Sequence, residues 1–308
     1  MKYPAVKDLV LIGGGHAHVH TLRSFGMKPV PGLRVTLIAK DIDTPYSGML
    51  PGFIAGHYTH DQCHIDLQPL SRFAGARLIH AEALNIDIAN QRVMCRNRPD
   101  IRYDVLSIDI GSTPDLASVP GAAQYAIPLK PVDGLARRWQ TFLHDFTLAP
   151  RKTHFVTVGG GAAGVEIALA IQYHLRNLLT ARNLDPDMLT FTIITRAGIL
   201  AGHNGGVQRK MREVLDARRV QLIENTTVER VDDTRVHCVG RDAVPYDQLI
   251  WGTDARAAGW LSQTGLALDQ HGFIKIDACL RALGHDTIFA AGDVASNIDH
   301  PRPKAGVF

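Results

Sequence analysis

The sequence predicts an α/β fold in which one arrangement occurs twice, and two stretches carry that prediction. Val10-Leu11-Ile12 runs into Gly13-Gly14-Gly15 and on into His16-Ala17-His18, which reads as a buried strand, a tight turn and the opening of a helix. Phe155-Val156-Thr157-Val158 runs in the same way into Gly159-Gly160-Gly161-Ala162-Ala163-Gly164, the full G-x-G-x-x-G spacing. Such a turn opens a Rossmann-like βαβ unit that binds a dinucleotide. Its first glycine turns the backbone sharply, its second lets a pyrophosphate approach the main chain, and the helix N-terminus beyond offers N–H groups and partial positive charge. In the first copy His18 replaces the third glycine, so that copy alone also fits an ordinary helix-start turn. Two copies together imply two nucleotide sites. The candidate cofactor contacts are Gly13, Gly14, Gly15, His16, Ala17 and His18 at the first turn, and Gly159, Gly161, Ala162 and Gly164 at the second.

The remaining elements follow in order. Residues 34–38 form the second strand of the first unit, whose end should carry an acidic residue for the adenosine ribose. Ala39-Lys40 stand there, and Asp41 lies two residues late, so either it reaches back or backbone and water hold the ribose. Residues 44–52, with Gly48, Met49 and Leu50, carry too much turn chemistry for a regular element and read as a lining loop, followed by a short helix over 53–56. Short strands over 76–79 and 82–88, the latter holding Ala83, precede a hairpin turn at 90–93. A buried strand over 103–114 ends on the glycine turn at Gly111.

A Pro- and Gly-rich linker spans 114–131, and apolar residues recur at helical spacing over 132–145. The second unit then repeats the first: strand 155–158, helix 164–180, strand 189–194, helix 208–217, strand 221–223 and a meander over 228–239. Residues 247–253 repeat the strand-to-glycine closure at Gly252, and Thr195-Arg196 stand where an acidic residue would favour NADH.

The composition fits two globular domains, at 308 residues, 45% hydrophobic and 20% charged. A net charge of +3 over 33 basic and 30 acidic residues is no nucleic-acid footprint. Basic pairs such as Arg137-Arg138 and Arg218-Arg219 read as solvated helix faces. No apolar run approaches the roughly 18 residues of a membrane span, and the run at 10–12 is too short for a signal-peptide core, so a cytoplasmic location is expected. Cys63, Cys95, Cys238 and Cys279 form no C-x-x-C pair, and each reads as a buried small apolar residue.

The two glycine turns, the closures at Gly111 and Gly252, and the run Thr287-Ile288-Phe289-Ala290-Ala291-Gly292-Asp293 together resemble the two-dinucleotide-binding-domain flavoproteins of the pyridine nucleotide–disulfide oxidoreductase class. In that family the last aspartate hydrogen-bonds FAD near the ribityl chain and its glycine lies against the pyrophosphate; the resemblance gives those roles to Asp293 and Gly292. The wording of residues 44–52 resembles the subgroup of type II NADH dehydrogenases and sulfide:quinone reductases, and within it the flavoprotein found fused ahead of selenophosphate synthetase. The resemblance implies a discontinuous FAD domain, residues 1–120 and 255–308, interrupted by an NAD(P)H domain over 121–254. It also implies FAD with NADPH or NADH as cofactors, and Ala39, Lys40, Gly48, Met49, Leu50, Ala83 and Gly111 as further contacts. The implied activity passes hydride from NAD(P)H to flavin and electrons to a non-disulfide acceptor, a quinone or another small molecule. A non-catalytic, redox-responsive FAD-binding module is the alternative.

Three departures shape that expectation. No redox cysteine pair follows the first helix, which excludes dithiol chemistry of the glutathione-reductase kind. Cys63 has no evident partner for the flavin-flanking sulfur chemistry of sulfide:quinone reductases. Family members continue past the Gly-Asp motif into an interface domain, whereas this chain stops at Phe308, so homodimer or peripheral-membrane contacts are expected of a domain missing here.

The resemblance also marks single side chains. Glu166 matches a glutamate that points between nicotinamide and flavin, or is a first-turn residue favoured by the helix dipole. Lys304, with Ala305, begins what is a helix in relatives, aimed at the flavin C2 carbonyl where negative charge collects on reduction. Lys130 matches a lysine of relatives, or is a solvated linker residue. Arg196 is placed to take a 2′-phosphate, or lies on an indifferent surface. His16 and His20 share a helix face at metal-ligand spacing, but with no acidic or cysteine partner adjacent no metal is expected.

Overall fold

The computed structural model describes residues 7–253, 255–301 and 304. The chain divides into two compact units: Met1–Tyr46, His64–Ser112 and Ala255–Phe308 in one, Ser47–Cys63 and Thr113–Asp254 in the other. Residues 47–63 therefore pack with the second unit.

The first unit is built on a five-stranded parallel sheet in the order Ile288–Ala290, Val105–Ile108, Lys7–Ile12, Leu33–Ala39, Arg77–His80. The second has a parallel sheet in the order Ile127–Pro128, Gln248–Trp251, Thr153–Val158, Leu189–Ile194, Val220–Ile223. In both, the strand that feeds the glycine turn lies between the second strand and the closing strand. Ile12 stands opposite Ile38 and Ile108, as Val158 stands opposite Ile194 and Trp251. The repeat in the sequence is thus a repeat in register, and it pairs Ala39 with Thr195 and Asp109 with Gly252.

These strands read as near-continuous apolar runs because parallel sheets are covered on both faces. Side chains alternate between the faces: Val10, Ile12 and Ile38 join one core with Leu106 and Ile288, while Leu11 and Leu37 join another with Leu22 and Leu67. In the second unit Val156, Val158 and Trp251 lie on one side and Phe155, Ile193 and Ile250 on the other. Each such fully buried aliphatic side chain contributes about 1.5–3 kcal/mol. The meander is repeated as well, as antiparallel ribbons over Ala83–Asp87, Arg92–Cys95 and Ile101–Arg102 and over Val228–Val231, Arg235–Cys238 and Val244–Pro245.

Some expectations need correction. The loop expected over 44–52 contains a 3-10 turn, Ser47–Met49, and the start of a helix, Leu50–Ile54, because Pro51 sits in the first turn, where a missing N–H costs nothing. Asp43–Pro45 pairs antiparallel with His64–Asp66, and a helix over Leu67–Phe73 is capped by Asp66, whose Oδ1 accepts the Gln68 N–H at 2.8 Å. The strand expected over 103–114 is split into Val105–Ile108 and the short Thr113–Pro114, since the chain turns at Gly111 with φ 68°. The linker expected over 114–131 carries a short helix, Ala122–Tyr125, and the edge strand Ile127–Pro128.

Candidate functional site

At the first turn, a Cβ on Gly13 (φ 96°) would lie 2.1 Å from the Asp109 carbonyl oxygen, so only glycine closes the turn against the Val105–Ile108 strand. The Gly13 N–H donates to the Ile38 carbonyl at 2.8 Å, which ties the turn to the second strand. Gly14 has a packing role, because a Cβ there would lie 2.6 Å from Leu67 Cδ1. The helix that follows, His16–Met27, has Gly15 at its N-cap and therefore no capping side chain of its own.

Asp109 caps it instead. Its Oδ2 accepts the N–H of Ala17 at 3.0 Å and of His18 at 3.4 Å, and a Cβ on Gly15 would fall 2.1 Å from the carboxyl carbon. Gly292, with φ 67°, closes the other side, its missing Cβ 2.7 Å from Asp109 Oδ1. Asp109 is only 3% exposed. Burial pushes its carboxyl up to about 6, opposed by the two N–H donors and by His16, and reinforced by the nearby Asp293. The Ser112 hydroxyl donates to Asp293 Oδ2 at 3.0 Å.

His18 is buried, with Nδ1 2.7 Å from the Gly13 carbonyl oxygen and Nε2 2.9 Å from Ser107 Oγ. A carbonyl only accepts, so Nδ1 carries the proton and Nε2 accepts from the serine. Burial pushes this imidazole down to about 4, which keeps it neutral at neutral pH. His16 packs its ring edge-on to Tyr46 at 4.9 Å. Among the described residues no three His, Cys, Asp or Glu side chains are grouped to hold a metal.

Beyond the second strand, Ala39 is buried and Lys40 lies 3.5 Å from Glu82, which also holds Arg96 at 2.8 Å. A carboxylate therefore does stand beside the end of this strand. Glu82 carries no sequence signal for that place because it arrives from a different strand end, next to Ala83, whose side chain is buried in the core.

Gly48, Met49 and Leu50 belong to the second unit, where Leu50 is buried with Phe53 and Leu129, Met49 packs against that cluster and Gly48 is exposed. Lys304 donates from Nζ to the Ala295 carbonyl and lies 4.2 Å from the centre of the Phe273 ring. Burial pushes this ammonium down, against the pull of Asp269 and Asp293. Ala305 lies outside the described residues.

The second turn keeps all three glycines and is not capped by a carboxylate. Gly159 (φ 127°) would place a Cβ 2.5 Å from the Gly252 carbonyl oxygen, and Gly164 would place one 2.2 Å from the Gly159 carbonyl oxygen, so helix and strand touch backbone to backbone. Gly161 would place its Cβ in open space. The helix Ala162–Ala181 has no side-chain cap, and Glu166 is exposed in its second turn. Here the bare backbone at Gly161 leaves open space in which a diphosphate could be held. Thr195 is buried at the end of the second strand and Arg196 is exposed beside it. Nearby, Arg212 forks onto Glu224 at 2.8 and 3.1 Å, and Glu224 Oε1 accepts the Ile199 N–H at 2.7 Å. This pair orders the loop after Arg196, and nothing in the spacing of the sequence points to it. Lys130 is half-buried after Leu129, whose N–H donates to the Trp251 carbonyl at 2.9 Å.

All four cysteines are free thiols. Three are buried as expected; Cys279 is exposed, because the Asp277 carboxylate folds residues 277–281 into a surface turn by accepting the Cys279 N–H at 2.8 Å.

The chain is similar in sequence and in fold to several known proteins. An external alternative NAD(P)H-ubiquinone oxidoreductase B4 of Arabidopsis thaliana mitochondria is 25% identical over 323 residues, covering 94% of this chain and 54% of the relative. The NADH dehydrogenase-like protein YutJ of Bacillus subtilis is 22% identical, covering 94% of this chain and 77% of its own length. The structure of NDH2 from Plasmodium falciparum in complex with NADH superposes with a TM-score of 0.82 at 18% identity, over 94% of this chain and 64% of that one. The chain thus spans about half of the plant enzyme and under two thirds of the parasite enzyme. Residues 7–305 match the family described as pyridine nucleotide-disulphide oxidoreductase, and the chain belongs to that family.

Proposed function

We propose that this chain is the nucleotide-binding part of an FAD-dependent oxidoreductase that takes hydride from NADPH or NADH and delivers electrons to a small-molecule acceptor, with a quinone the first candidate. The observation that carries the reading is the pair of glycine turns in matched register, one of them with an open Gly161 cradle. Gly13, Gly15 and Gly292 with Asp293 would hold FAD, and Gly159, Gly161 and Gly164 with Arg196 the nicotinamide nucleotide. Bound FAD supplies the hydride acceptor and the electron store. The protein's share is binding and orientation, which in such reactions accounts for much of the rate. Four free, unpaired thiols favour an acceptor other than a disulfide.

Anaerobic mixing tests the proposal. The purified protein, loaded with FAD, should be yellow and bleach within seconds of adding NADH or NADPH. Loaded protein that stays yellow for minutes overturns the enzyme reading in favour of an FAD-binding module.

A further inference from the structure

Besides His18 against Gly164, the two turns differ at a second matched position. Asp109 follows the closing strand of the first unit where Gly252 follows that of the second, and the N–H of each donates to the end of its central strand, Asp109 to Ile12 and Gly252 to Val158, both at 2.8 Å. In the second unit the space beside Gly161 is open; in the first, the space beside Gly15 holds the Asp109 carboxyl group. That carboxyl accepts the Ala17 and His18 N–H groups, the helix donors that an incoming diphosphate needs.

We infer that Asp109 makes the first turn a proton-linked diphosphate site: a dinucleotide binds there with uptake of one proton onto the Asp109 carboxyl. The inference rests on the proposed binding of FAD at this turn. An ionised carboxylate and a diphosphate would compete for the same two N–H donors and repel each other at close range in a buried place. A protonated carboxyl ends both conflicts, since it carries no charge and its O–H becomes a donor. The proton comes from solvent and stays on the carboxyl oxygen while the diphosphate is bound.

The groups facing Asp109 support this assignment. His18, on the helix, is neutral and committed to Gly13 and Ser107. His16, at the start of the helix, favours the ionised form, whereas Asp293, from the Gly292 side, opposes it. Burial already holds the carboxyl near 6, so part of the rise needed to keep the proton bound up to mildly alkaline pH is in place before the diphosphate arrives, and the diphosphate's charge at close range supplies the rest.

The test uses the full chain stripped of flavin, with FAD as the probe. Affinity of the wild type should fall about tenfold per pH unit from pH 7 to 8.5, as expected for one linked proton. Asp109→Asn should bind more tightly at pH 8 with a flat profile. Titration calorimetry in two buffers of different ionisation enthalpy should count about one proton taken up by the wild type at pH 7.5 and none by the variant. Should the asparagine fail to fold, Asp109→Gly, which copies Gly252, provides the same comparison. FAD binding with equal proton uptake in wild type and variant overturns the inference while leaving the nucleotide reading intact. Failure of every form to bind FAD at any pH overturns both, and is a distinct result.

Discussion

His18 stands five residues after Gly13, where Gly164 stands five after Gly159, and its imidazole bridges the turn from the Gly13 carbonyl to the Ser107 hydroxyl. The third glycine has thus been exchanged for a buried hydrogen-bonded ring. His18→Gly completes the motif on paper, yet it removes two buried hydrogen bonds, opens a cavity and puts glycine in a helix. We expect it to destabilise the protein by about 2–4 kcal/mol, seen as a lower urea midpoint at constant slope. An unchanged midpoint would show that the ring carries no structural role.

Asp109 should weaken the flavin-free fold as it ionises. Its folded value, about 6, is raised above the usual 3.8, so the folded state binds the extra proton between those values. This contribution to stability is full below about pH 3.8 and is lost as pH rises through about 6. Asp109→Asn should therefore raise stability by about 1–3 kcal/mol at pH 7, with the gain vanishing towards pH 4. Chemical unfolding of both proteins at pH 4.5 and 7 checks this, and an equal gain at both would contradict it.

His18 acts in the opposite sense. Its folded value of about 4 lies below the usual 6.5, so the unfolded chain binds more protons and stability falls as pH drops from 6.5 through 4. In Asp109→Asn the opposing carboxyl contribution is gone, and His18, with His154 and His174, which burial also pushes down, should make the stability profile fall monotonically from pH 6.5 to 4.5, less steeply once His18 is also replaced by Gln. A profile still flat across that range would place the histidine's titration elsewhere.

Gly161→Ala isolates the second cradle. Its added methyl meets no atom of the protein and the residue's φ of −76° suits alanine, so stability should fall by only about 0.5–1 kcal/mol, the cost of alanine for glycine at a helix N-cap. The methyl occupies the space expected for the nicotinamide diphosphate. The KM for NAD(P)H in flavin reduction should rise about tenfold or more, with FAD content unaltered. An unchanged KM would move the nucleotide away from this turn.

Arg196→Ala addresses the choice of nucleotide. A charge-assisted bond to a 2′-phosphate is worth about 1.5–3 kcal/mol, so the preference for NADPH over NADH in flavin reduction should drop about tenfold to a hundredfold. If the ratio does not move, the arginine never touches the phosphate.

The fold was legible where local chemistry and tertiary context agree. Apolar strands feeding Gly13 and Gly159 gave both sheets, since a turn that admits only glycine leaves a mark in the sequence. The Leu50–Ile54 helix was hidden because Pro51 and Gly52 read as breakers, although proline suits the first turn of a helix. Glu82, Ser107 and the Arg212–Glu224 pair were hidden for another reason: each reaches its neighbour across the sheet order, which no spacing along the chain records. Asp109 sat in plain view beside Gly111, but its charge acquires meaning only once the register sets it against Gly252.

The strand order of the first sheet also bears on synthesis. Val105–Ile108 is flanked on its outer side by Ile288–Ala290, and the Leu106 N–H donates to the Thr287 carbonyl at 2.9 Å. A ribosome adding about 5–20 residues per second delivers that last strand roughly ten to forty seconds after the one it covers. Throughout that interval the nascent first sheet has a bare edge, whereas the five strands of the second sheet emerge in one uninterrupted stretch. The later-made unit is therefore the first able to close, and the earlier-made one, still lacking Gly292 and Asp293, waits with an open edge that chaperones would recognise.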